Sequence, residues 1–400
     1  MTPEAPVDVL TGLSAARFGL YVHFPFCLSK CLYCDFASVA ARDIPDERYT
    51  RALRSELDAR LTEVPRGQVV DSIFIGGGTP SLWRPQLVAG FLEAVSARLS
   101  LAPSLEVSLE ANPGAADAER FAAYRAAGIN RLSIGVQSFE RRTLAMLGRT
   151  HDGREARAAV DAARKAGFSN VSLDFIYGAP GQTIAEVEAD ARAAVALEPA
   201  HLSAYALTLD RPSLAEDVPL AKALARGEVE LPADDVVVAM QRVVGGVYSD
   251  AGLERYEVSN HARAGLHSRH NALYWTGGEY LALGVGATGT LGQGKRRRRY
   301  TNLRSAEAYF KAVEAHVVPE ASHEELGELE LFEERVAMGL RLVTGVALEA
   351  VCREFGQSFE ARLAVVKALV QNGLAEWKGE RLALTDAGLD VHSAISARLM

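Results

Sequence analysis

Three of the four cysteines in the chain lie within eight consecutive residues, in the segment YVHFPFCLSKCLYCDFAS. Three residues separate Cys27 from Cys31, and two separate Cys31 from Cys34. Three thiolates can hold three corners of a cubic 4Fe–4S cluster and leave the fourth iron open to an exchangeable ligand. The spacing therefore indicates an iron–sulfur site, in a loop that directly follows a predicted strand.

Two other interpretations of these cysteines stay open. The three thiolates could bind zinc with His23 or Asp35 as the fourth ligand, although zinc sites usually take their cysteines from two separated pairs. The thiols could also be inert groups of a core. The remaining cysteine, Cys352, is far from the others in the sequence, and we interpret it as a small buried hydrophobic residue.

Glycine and polar residues follow the next predicted strands, at the strand ends where ligand sites gather in parallel βα folds. Glycines after the strand that ends at Ile75 let backbone groups approach a ligand. A phosphate loop is disfavoured, because no Gly-Lys-Ser or Gly-Lys-Thr follows them. The later candidates are two carboxylates, an amide and a guanidinium, which together suit a zwitterionic nucleoside ligand, although each alone could be a surface residue. These candidates are Gly77, Gly78, Thr79, Glu110, Gln137, Arg149 and Asp174.

The elements that must position these residues alternate between β-rich and helical segments over residues 19–209. Strands are predicted to begin at Gly19, Val70, Leu105, Arg131, Asn170 and His201. Helical periodicity is found in residues 46–62, 85–99, 118–127, 153–166 and 183–197. This alternation predicts an α/β fold in which parallel βα units form an open or closed barrel.

Four parts of the chain can be distinguished from these patterns. We predict an N-terminal tail at residues 1–18, a barrel at 19–210, a connecting region at 211–327 and a C-terminal module at 328–400. The C-terminal module is predicted to contain helices followed by a β-hairpin, an order similar to that of a winged helix. Its helices carry mixed charge, so this shape does not imply DNA binding.

The composition is that of an ordinary globular chain, with 400 residues, 48% hydrophobic and 24% charged. A net charge of −8 gives no general reason to expect a nucleic acid partner. No run is long enough to span a bilayer, no secretory signal is evident, and clustered unpaired thiols suit a reducing compartment. We therefore expect a cytoplasmic protein. The basic run at residues 295–299 is interpreted as a solvated loop or strand edge, with peripheral contact to anionic lipid as the alternative.

The cysteine spacing after a strand resembles that of the radical S-adenosylmethionine (radical SAM) superfamily. The surrounding stretches closely resemble the branch that contains oxygen-independent coproporphyrinogen III oxidases and HemW-type haem chaperones, over nearly the whole chain. The resemblance implies a partial (β/α)6 barrel and a 4Fe–4S cluster with S-adenosylmethionine at its open iron. The contacts that it implies for S-adenosylmethionine are Tyr21, Tyr33, Gly77, Gly78, Thr79, Glu110, Gln137, Arg149 and Asp174.

Two features distinguish between the oxidases and the chaperones of this branch. The oxidases carry a fourth cysteine where this chain has Phe36, and they have a longer segment before the cluster motif. The segment HNALYW, from His270 to Trp275, is similar to the HNxxYW pattern of the HemW-type proteins. A neutral histidine can ligate haem iron, so His270 is the candidate axial ligand, with His267, His261 and His23 as alternatives. The motif could instead fill a domain interface.

We therefore predict a haem chaperone that binds haem and passes it to acceptor haemoproteins, with membrane-bound respiratory enzymes among the candidates. In this interpretation the cluster and S-adenosylmethionine stabilise the protein or switch its state, for example through formation of a homodimer. We therefore favour a protein that is not an enzyme. The alternative is a radical SAM enzyme of the oxygen-independent coproporphyrinogen III oxidase type, which would cleave S-adenosylmethionine to a 5′-deoxyadenosyl radical. A third alternative is a zinc-stabilised binding protein.

Overall fold

The computed structural model describes residues 18–114, 118–209, 214, 217–293 and 295–400. The predicted N-terminal tail lies outside these residues apart from Phe18, and so do residues 210–213 and 215–216, where the predicted connecting region begins. The strands are β1 (Phe18–Phe24), β2 (Phe26–Cys27), β3 (Val39–Ala40), β4 (Val69–Gly77), β5 (Ser100–Ala111), β6 (Arg131–Gln137), β7 (Val171–Tyr177), β8 (His201–Ala206), β9 (Glu254–Arg255), β10 (Asn260–Ala262), β11 (Glu279–Gly284), β12 (Thr288–Gln293), β13 (Arg296–Asn302), β14 (Glu320–Leu326), β15 (Ala375–Lys378) and β16 (Arg381–Leu384).

The helices flank these strands. They are α1 (Asp46–Arg60), α2 (Pro85–Ser96), α3 (Ala118–Ala126), α4 (Arg141–Met146), α5 (Gly153–Lys165), α6 (Ile184–Val195), α7 (Pro219–Ala225), α8 (Asp234–Asp250), α9 (Arg269–Trp275), α10 (Ala306–Glu314), α11 (Glu328–Arg341), α12 (Leu348–Glu354), α13 (Glu360–Gln371), α14 (Asp386–Asp390) and α15 (His392–Leu399). Across the described ranges, no helix combines the length and the apolar character needed to cross a bilayer.

Six parallel strands are neighbours in chain order, in the sequence β1, β4, β5, β6, β7 and β8. The predicted α/β fold with six parallel βα units is therefore confirmed. A seventh strand, β11, pairs in parallel with the other side of β1. Antiparallel strands extend the sheet at both ends, with β12, β13 and β14 beyond β11, and β10 and β9 beyond β8.

Polar and apolar side chains alternate along the central strands, although parallel strands covered on both faces are usually apolar throughout. In β6, Leu132, Ile134 and Val136 are fully buried in the hydrophobic core beneath the helices. Ser133 and Gln137 point the other way and line a cavity. The sheet therefore curves around a polar interior, while its outer face packs against the helices in the apolar core.

Local sequence signals set the helix ends. α5 begins with a capping box, in which Asp152 accepts hydrogen bonds from backbone amides and Glu155 reaches back to the amide of Asp152. Gly128 and Gly167 adopt φ values of 104° and 86° after α3 and α5, a conformation that glycine adopts without strain. Both glycines therefore end their helices.

The C-terminal helices and the β15–β16 hairpin have a hydrophobic core of their own, which includes Phe332, Leu340 and Leu369. Cys352 is 1% exposed inside it, as expected for a small buried hydrophobic residue. Strands β9 to β14, from the predicted connecting region, belong instead to the same sheet as the barrel. The boundaries of the four predicted parts stay predictions.

The basic run at residues 295–299 forms part of β13, and acidic residues face it. Lys295 pairs with Glu328 at 2.9 Å, and Arg299 pairs with Glu334 at 2.7 Å. Arg297 and Arg298 also have carboxylate partners, from β11 and β14. Most of this charge is therefore compensated within the protein. Because β13 pairs with β12 on one side and β14 on the other, the prediction of a solvated loop or strand edge was wrong for residues 296–299.

Candidate functional site

The cysteine loop (residues 27–38) is held in place along its length. Strands β2 and β3 pair at its base. In the middle of the loop, the amide of Leu32 donates to the carbonyl of Leu147 at 3.1 Å, and the amide of Leu220 in α7 donates to the carbonyl of Leu32 at 2.9 Å. Arg304 donates to the carbonyl of Asp35 at 3.1 Å. The loop is thus positioned by the surrounding fold.

All the predicted site residues line a single cavity of about 640 Å³ inside the barrel. The cysteine loop forms one side of its wall, and the ends of strands β4 to β7 form another. The residues brought together are Tyr21, Cys27, Cys31, Tyr33, Cys34, Gly77, Gly78, Thr79, Glu110, Gln137, Arg149, Asp174 and His270.

The glycines after β4 are required by their contacts with the cysteine loop. A Cβ on Gly78 would lie 2.7 Å from the carbonyl oxygen of Phe26 and 3.0 Å from Cys27 Sγ. Gly77 has a φ of 112°, and a Cβ there would lie 2.8 Å from the ring of His23. Only glycine allows this loop to pass so close to the cysteines, which leaves its backbone groups accessible to a ligand.

Tyr21 and His23 form a buried pair in β1. His23 Nε2 lies 3.1 Å from the carbonyl oxygen of Ala37, which can only accept, so Nε2 carries the proton. Nδ1 therefore accepts from the Tyr21 hydroxyl, at 2.8 Å. Burial lowers the pKa of His23 to about 4, so the ring is neutral at pH 7. His23 thus uses both ring nitrogens within the protein, which disfavours it as a ligand for zinc or haem.

Two half-buried carboxyl groups, Glu110 and Asp174, line the cavity wall. Glu110 accepts a hydrogen bond from the Gly77 amide at 2.9 Å. Burial, with the negative charge of Asp174, raises the pKa of Glu110 to about 8. Burial also raises the pKa of Asp174, against the effect of hydrogen bonds from Ser133 at 2.8 Å and Ser172 at 3.4 Å. Two such groups favour a cationic ligand.

Arg149 connects the cysteine loop to the strand ends. Its Nη1 lies 3.4 Å from Cys31 Sγ. Its Nη2 donates to Asn112 Oδ1 and to the carbonyl of Gly135, each at 2.8 Å. Asn112 in turn donates to Thr79 Oγ1 at 2.9 Å. The guanidinium therefore places a positive charge beside one thiol and fixes the neighbouring loops.

Gln137 and Tyr33 both line the cavity. Gln137 has a φ of 65°, which is uncommon for a residue other than glycine, and the register of β6 and β7 shifts next to it. Such conformations cluster at functional sites. Tyr33 packs against the hydrophobic cluster of Leu209, Val218, Leu220 and Ala221, and burial raises the pKa of its hydroxyl.

His270 lies at the start of α9 and is 1% exposed. Its Nδ1 hydrogen-bonds Ser72 Oγ at 2.9 Å, and its Nε2 hydrogen-bonds the Tyr274 hydroxyl at 2.8 Å. The ring stacks on Phe74 with 5.4 Å between centroids, and burial lowers its pKa to about 3. An iron ligand needs an unshared nitrogen lone pair and space beside it. His270 as placed does not fit that role.

The other alternative histidines lie outside the cavity lining. His261 is 5% exposed, and neither of its ring nitrogens has a hydrogen-bond partner among the described residues. It packs edge-on against Tyr248, with 5.1 Å between centroids. The ring of His267 lies 4.6 Å from that of Tyr256. Neither faces the cavity that holds the cysteines.

Several cavity residues were missed by sequence reasoning. They are Asn112, Arg131, Ser133, Ser172, His201 and Ser203. The signal that could have found most of them is the period-two alternation in β6, β7 and β8, in which every second residue is polar or small. Side chains two apart on a strand share a face, so Ser133 and Ser172 could have been assigned to the interior together with Asp174.

In the part of the chain that the structure describes, no three histidine, cysteine or acidic side chains converge as a single bound metal ion requires. The three thiols of the cysteine loop all line the cavity wall.

Comparison with known proteins identifies the relatives of this chain. Residues 21–194 match the radical SAM superfamily, and residues 326–391 match the HemN C-terminal domain. The heme chaperone HemW of Mycobacterium tuberculosis H37Rv is 36% identical over 402 residues, which cover 99% of each chain. The heme chaperone HemW of Bacillus subtilis 168 is 31% identical, over 92% of this chain and 95% of the relative.

Among solved structures, coproporphyrinogen III oxidase (HemN) from Escherichia coli, a radical SAM enzyme, superposes with a TM-score of 0.80. The superposition covers 98% of this chain and 92% of that one, at 20% sequence identity, and it shows that the two proteins share a fold. The full-length similarity to the curated relatives is more specific. The chain belongs to the HemW family of the radical SAM superfamily.

Proposed function

We propose that this protein is a haem chaperone that binds haem and transfers it to acceptor haemoproteins, and that it carries a 4Fe–4S cluster with S-adenosylmethionine at the open iron. Two relatives with similarity along most of their length are named heme chaperone HemW. The observation that carries the cofactor half is the gathering of three thiols, a glycine loop and two half-buried carboxyl groups around a single cavity.

The residues present fit the cluster. Cys27, Cys31 and Cys34 offer three thiols and no fourth, which suits a cluster with one open iron. Gly78 leaves the space beside Cys27 Sγ that a Cβ would fill. When bound, a reduced cluster of this type supplies one electron to S-adenosylmethionine.

The residues also fit a cationic nucleoside. Glu110 and Asp174 would balance the sulfonium and ammonium charges, and Glu110 would accept hydrogen bonds from ribose hydroxyls. Gly77 and Gly78 would present backbone groups to the methionine part of the ligand. Arg149 would hold the cysteine loop against the strand ends through the contacts already described.

The second candidate is a radical SAM enzyme. The complete set of predicted contacts for S-adenosylmethionine in one cavity favours it. Against an oxidase, Phe36 stands where that class carries its fourth cysteine, and its side chain is 57% exposed at the cavity. The homodimer, the membrane-bound acceptors and the cytoplasmic location stay predictions.

The test is a haemin titration of protein purified without oxygen and reconstituted with iron and sulfide, with a parallel assay of coproporphyrinogen III turnover. We expect saturable, stoichiometric haem binding and no turnover. Turnover without specific haem binding would contradict the chaperone and support the oxidase.

A cysteine variant tests the cluster separately. Replacing Cys27, Cys31 and Cys34 by alanine should abolish the cluster absorbance while the fold persists, because the barrel core rests on apolar packing. Cys352→Ala is the matched control, since this thiol is buried in the C-terminal core, and it should keep its iron and sulfide. Iron and sulfide retained in the triple variant would refute the assignment.

A further inference from the structure

We infer that helix α9 closes the end of the barrel opposite the cysteine loop and joins the cavity wall to the C-terminal module. Within this helix, His270 positions Tyr274 and is not the haem iron ligand. This role of the HNALYW segment rests on the proposed function, because haem binding and S-adenosylmethionine binding are the two properties that test it.

The start of α9 is fixed to strand β5. Glu106 Oε1 accepts a hydrogen bond from the Arg269 amide at 2.9 Å, and the His270 amide lies 3.4 Å from the same oxygen. Arg269 Nη1 donates to Ser104 Oγ at 3.1 Å. Glu106 is 7% exposed, so a buried carboxyl group satisfies amides that would otherwise lack partners at this helix end.

The middle of α9 packs against β1 without spare room. A Cβ on Gly19 would lie 2.6 Å from Leu273 Cδ2 and 3.1 Å from His270 Cε1. Gly19 is the second residue of β1, at the end of the strand opposite the cysteine loop. The helix therefore closes the end of the barrel opposite the cysteine loop, and a flat macrocycle cannot reach His270 from that end unless this packing opens.

His270 forms the centre of an aromatic group beneath the predicted S-adenosylmethionine contacts. Its ring stacks on Phe74 at 5.4 Å and on Tyr21 at 6.4 Å, and it meets Tyr274 edge-on at 5.0 Å. Tyr21, Phe74, Tyr274 and Glu110 all line the cavity. The orientation of Tyr274, set by its hydrogen bond to His270, therefore shapes the wall beside Glu110.

Both ring nitrogens of His270 already serve this arrangement. Binding iron through Nε2 would leave the Tyr274 hydroxyl without its partner, and binding through Nδ1 would do the same to Ser72. A buried polar group left unpaired is costly. The observed bonds are those expected of a residue that holds its neighbours in place.

The outer face of α9 contacts the C-terminal module. The guanidinium of Arg341, in α11, lies over the Trp275 ring at 4.4 Å. Arg341 also pairs at 2.9 Å with Glu257, which is fully buried. The side chains of Ala272 and Leu342 share a small hydrophobic cluster. The segment thus connects the cofactor cavity to the module through seven consecutive residues.

The experiment compares His270→Gln, His270→Asn, Tyr274→Phe and the double variant His270→Asn/Tyr274→Phe in the full-length reconstituted protein. The amide of Gln reaches the position of Nε2 and can keep the Tyr274 bond, whereas that of Asn reaches the position of Nδ1 and cannot. The matched control is His323→Gln, because His323 lies on the exposed edge strand β14. Circular dichroism checks the fold, and the two readouts are the Soret spectrum of bound haem and the affinity for S-adenosylmethionine.

We expect the Soret maximum to be the same in all variants. We expect the affinity for S-adenosylmethionine to fall about tenfold in Tyr274→Phe and His270→Asn, the loss typical of one buried hydrogen bond. Gln should restore most of it, and the double variant should be no weaker than Tyr274→Phe alone, because the two changes remove the same bond.

Two results would overturn the inference. One is a Soret band that shifts or disappears in the His270 variants but not in His323→Gln. The other is an unchanged affinity for S-adenosylmethionine in both His270→Asn and Tyr274→Phe. If the wild-type protein binds no haem, the haem half of the proposed function fails, while the affinity measurements still decide the positioning role. If it binds no S-adenosylmethionine, the positioning role is overturned together with the cofactor assignment.

Discussion

Replacing Glu110 by glutamine should abolish a proton release that we expect when the cavity binds S-adenosylmethionine. Burial and the nearby Asp174 raise the pKa of Glu110 to about 8. At pH 7, one unit lower, about ten molecules in eleven carry the proton, which is about 0.9 proton per chain. A sulfonium or ammonium group beside the carboxylate favours its ionised form. Binding at pH 7 should therefore release up to about 0.9 proton per ligand.

Calorimetry in two buffers with different ionisation enthalpies measures this number on cluster-loaded protein. The affinity for S-adenosylmethionine should also increase as the pH rises, by up to about tenfold per pH unit below pH 8, and should level off above pH 8. Asp174 faces Glu110, so Asp174→Asn is the variant that shows whether the second carboxyl group contributes. A wild-type protein with no buffer dependence at pH 7, or Glu110→Gln with the same proton release, would refute this reasoning.

The same carboxyl group affects stability without any cofactor. Its pKa in the folded chain, about 8, lies above the ordinary 4.5 of the unfolded chain. The folded state therefore binds the proton more tightly, and stability falls as the pH rises from about 4.5 to about 8. At pH 8.5 the free energy of unfolding of Glu110→Gln should exceed that of the wild type. The excess is about 1.4 kcal/mol for each unit by which the pKa of Glu110 differs between the folded and the unfolded chain. At pH 5 the two proteins should be of nearly equal stability. Urea unfolding of cluster-free protein at the two pH values measures the difference.

Two further changes test the packing around the site. Gly78→Ala should lower the iron content and cost about 1–3 kcal/mol in urea unfolding, because its Cβ would lie 2.7 Å from the Phe26 carbonyl oxygen. Gly246→Ala, with no atom within 4 Å of the added Cβ, is the control, and equal iron contents in the two variants would contradict the argument. Glu56→Ala should cost about 3–5 kcal/mol, because the fully buried Arg60 loses its ion pair at 3.1 Å and the buried donors of Gly284 and Tyr309 lose their acceptor. A loss below about 1 kcal/mol would show that Glu63 and Asn302, which also contact Arg60, compensate for the change.

The order of the six barrel strands could be predicted from the sequence, because each parallel βα unit is recognisable from its own β-rich segment and the helical segment that follows it. Strands predicted to begin at Gly19 and Val70 begin at Phe18 and Val69. Strand β11 could not be assigned in this way. Its six residues from Glu279 to Gly284 pair with β1, and no local pattern specifies a partner so distant in the sequence.

The site could be predicted as a set of residues but not as a set of contacts. The strand-end positions of Gly77 and Glu110 placed them at one end of the barrel, since parallel strands end together. The environment of His270 could not be predicted, because Ser72, which bonds its Nδ1, is 198 residues away. Spacing identifies side chains that are able to bind a ligand, and it does not reveal which of them are already engaged within the protein.

The pairing of β11 with β1 also determines when the barrel can be completed during synthesis. Phe18 pairs with Glu279, which leaves the ribosome about 260 residues later. At the usual rate of elongation this delay is on the order of 10–50 s. Until then one edge of β1 has no partner strand, and an unpaired edge can pair with other chains. A truncated fragment that stops at residue 210 would keep that edge exposed permanently, so we expect it to aggregate more readily than the whole chain.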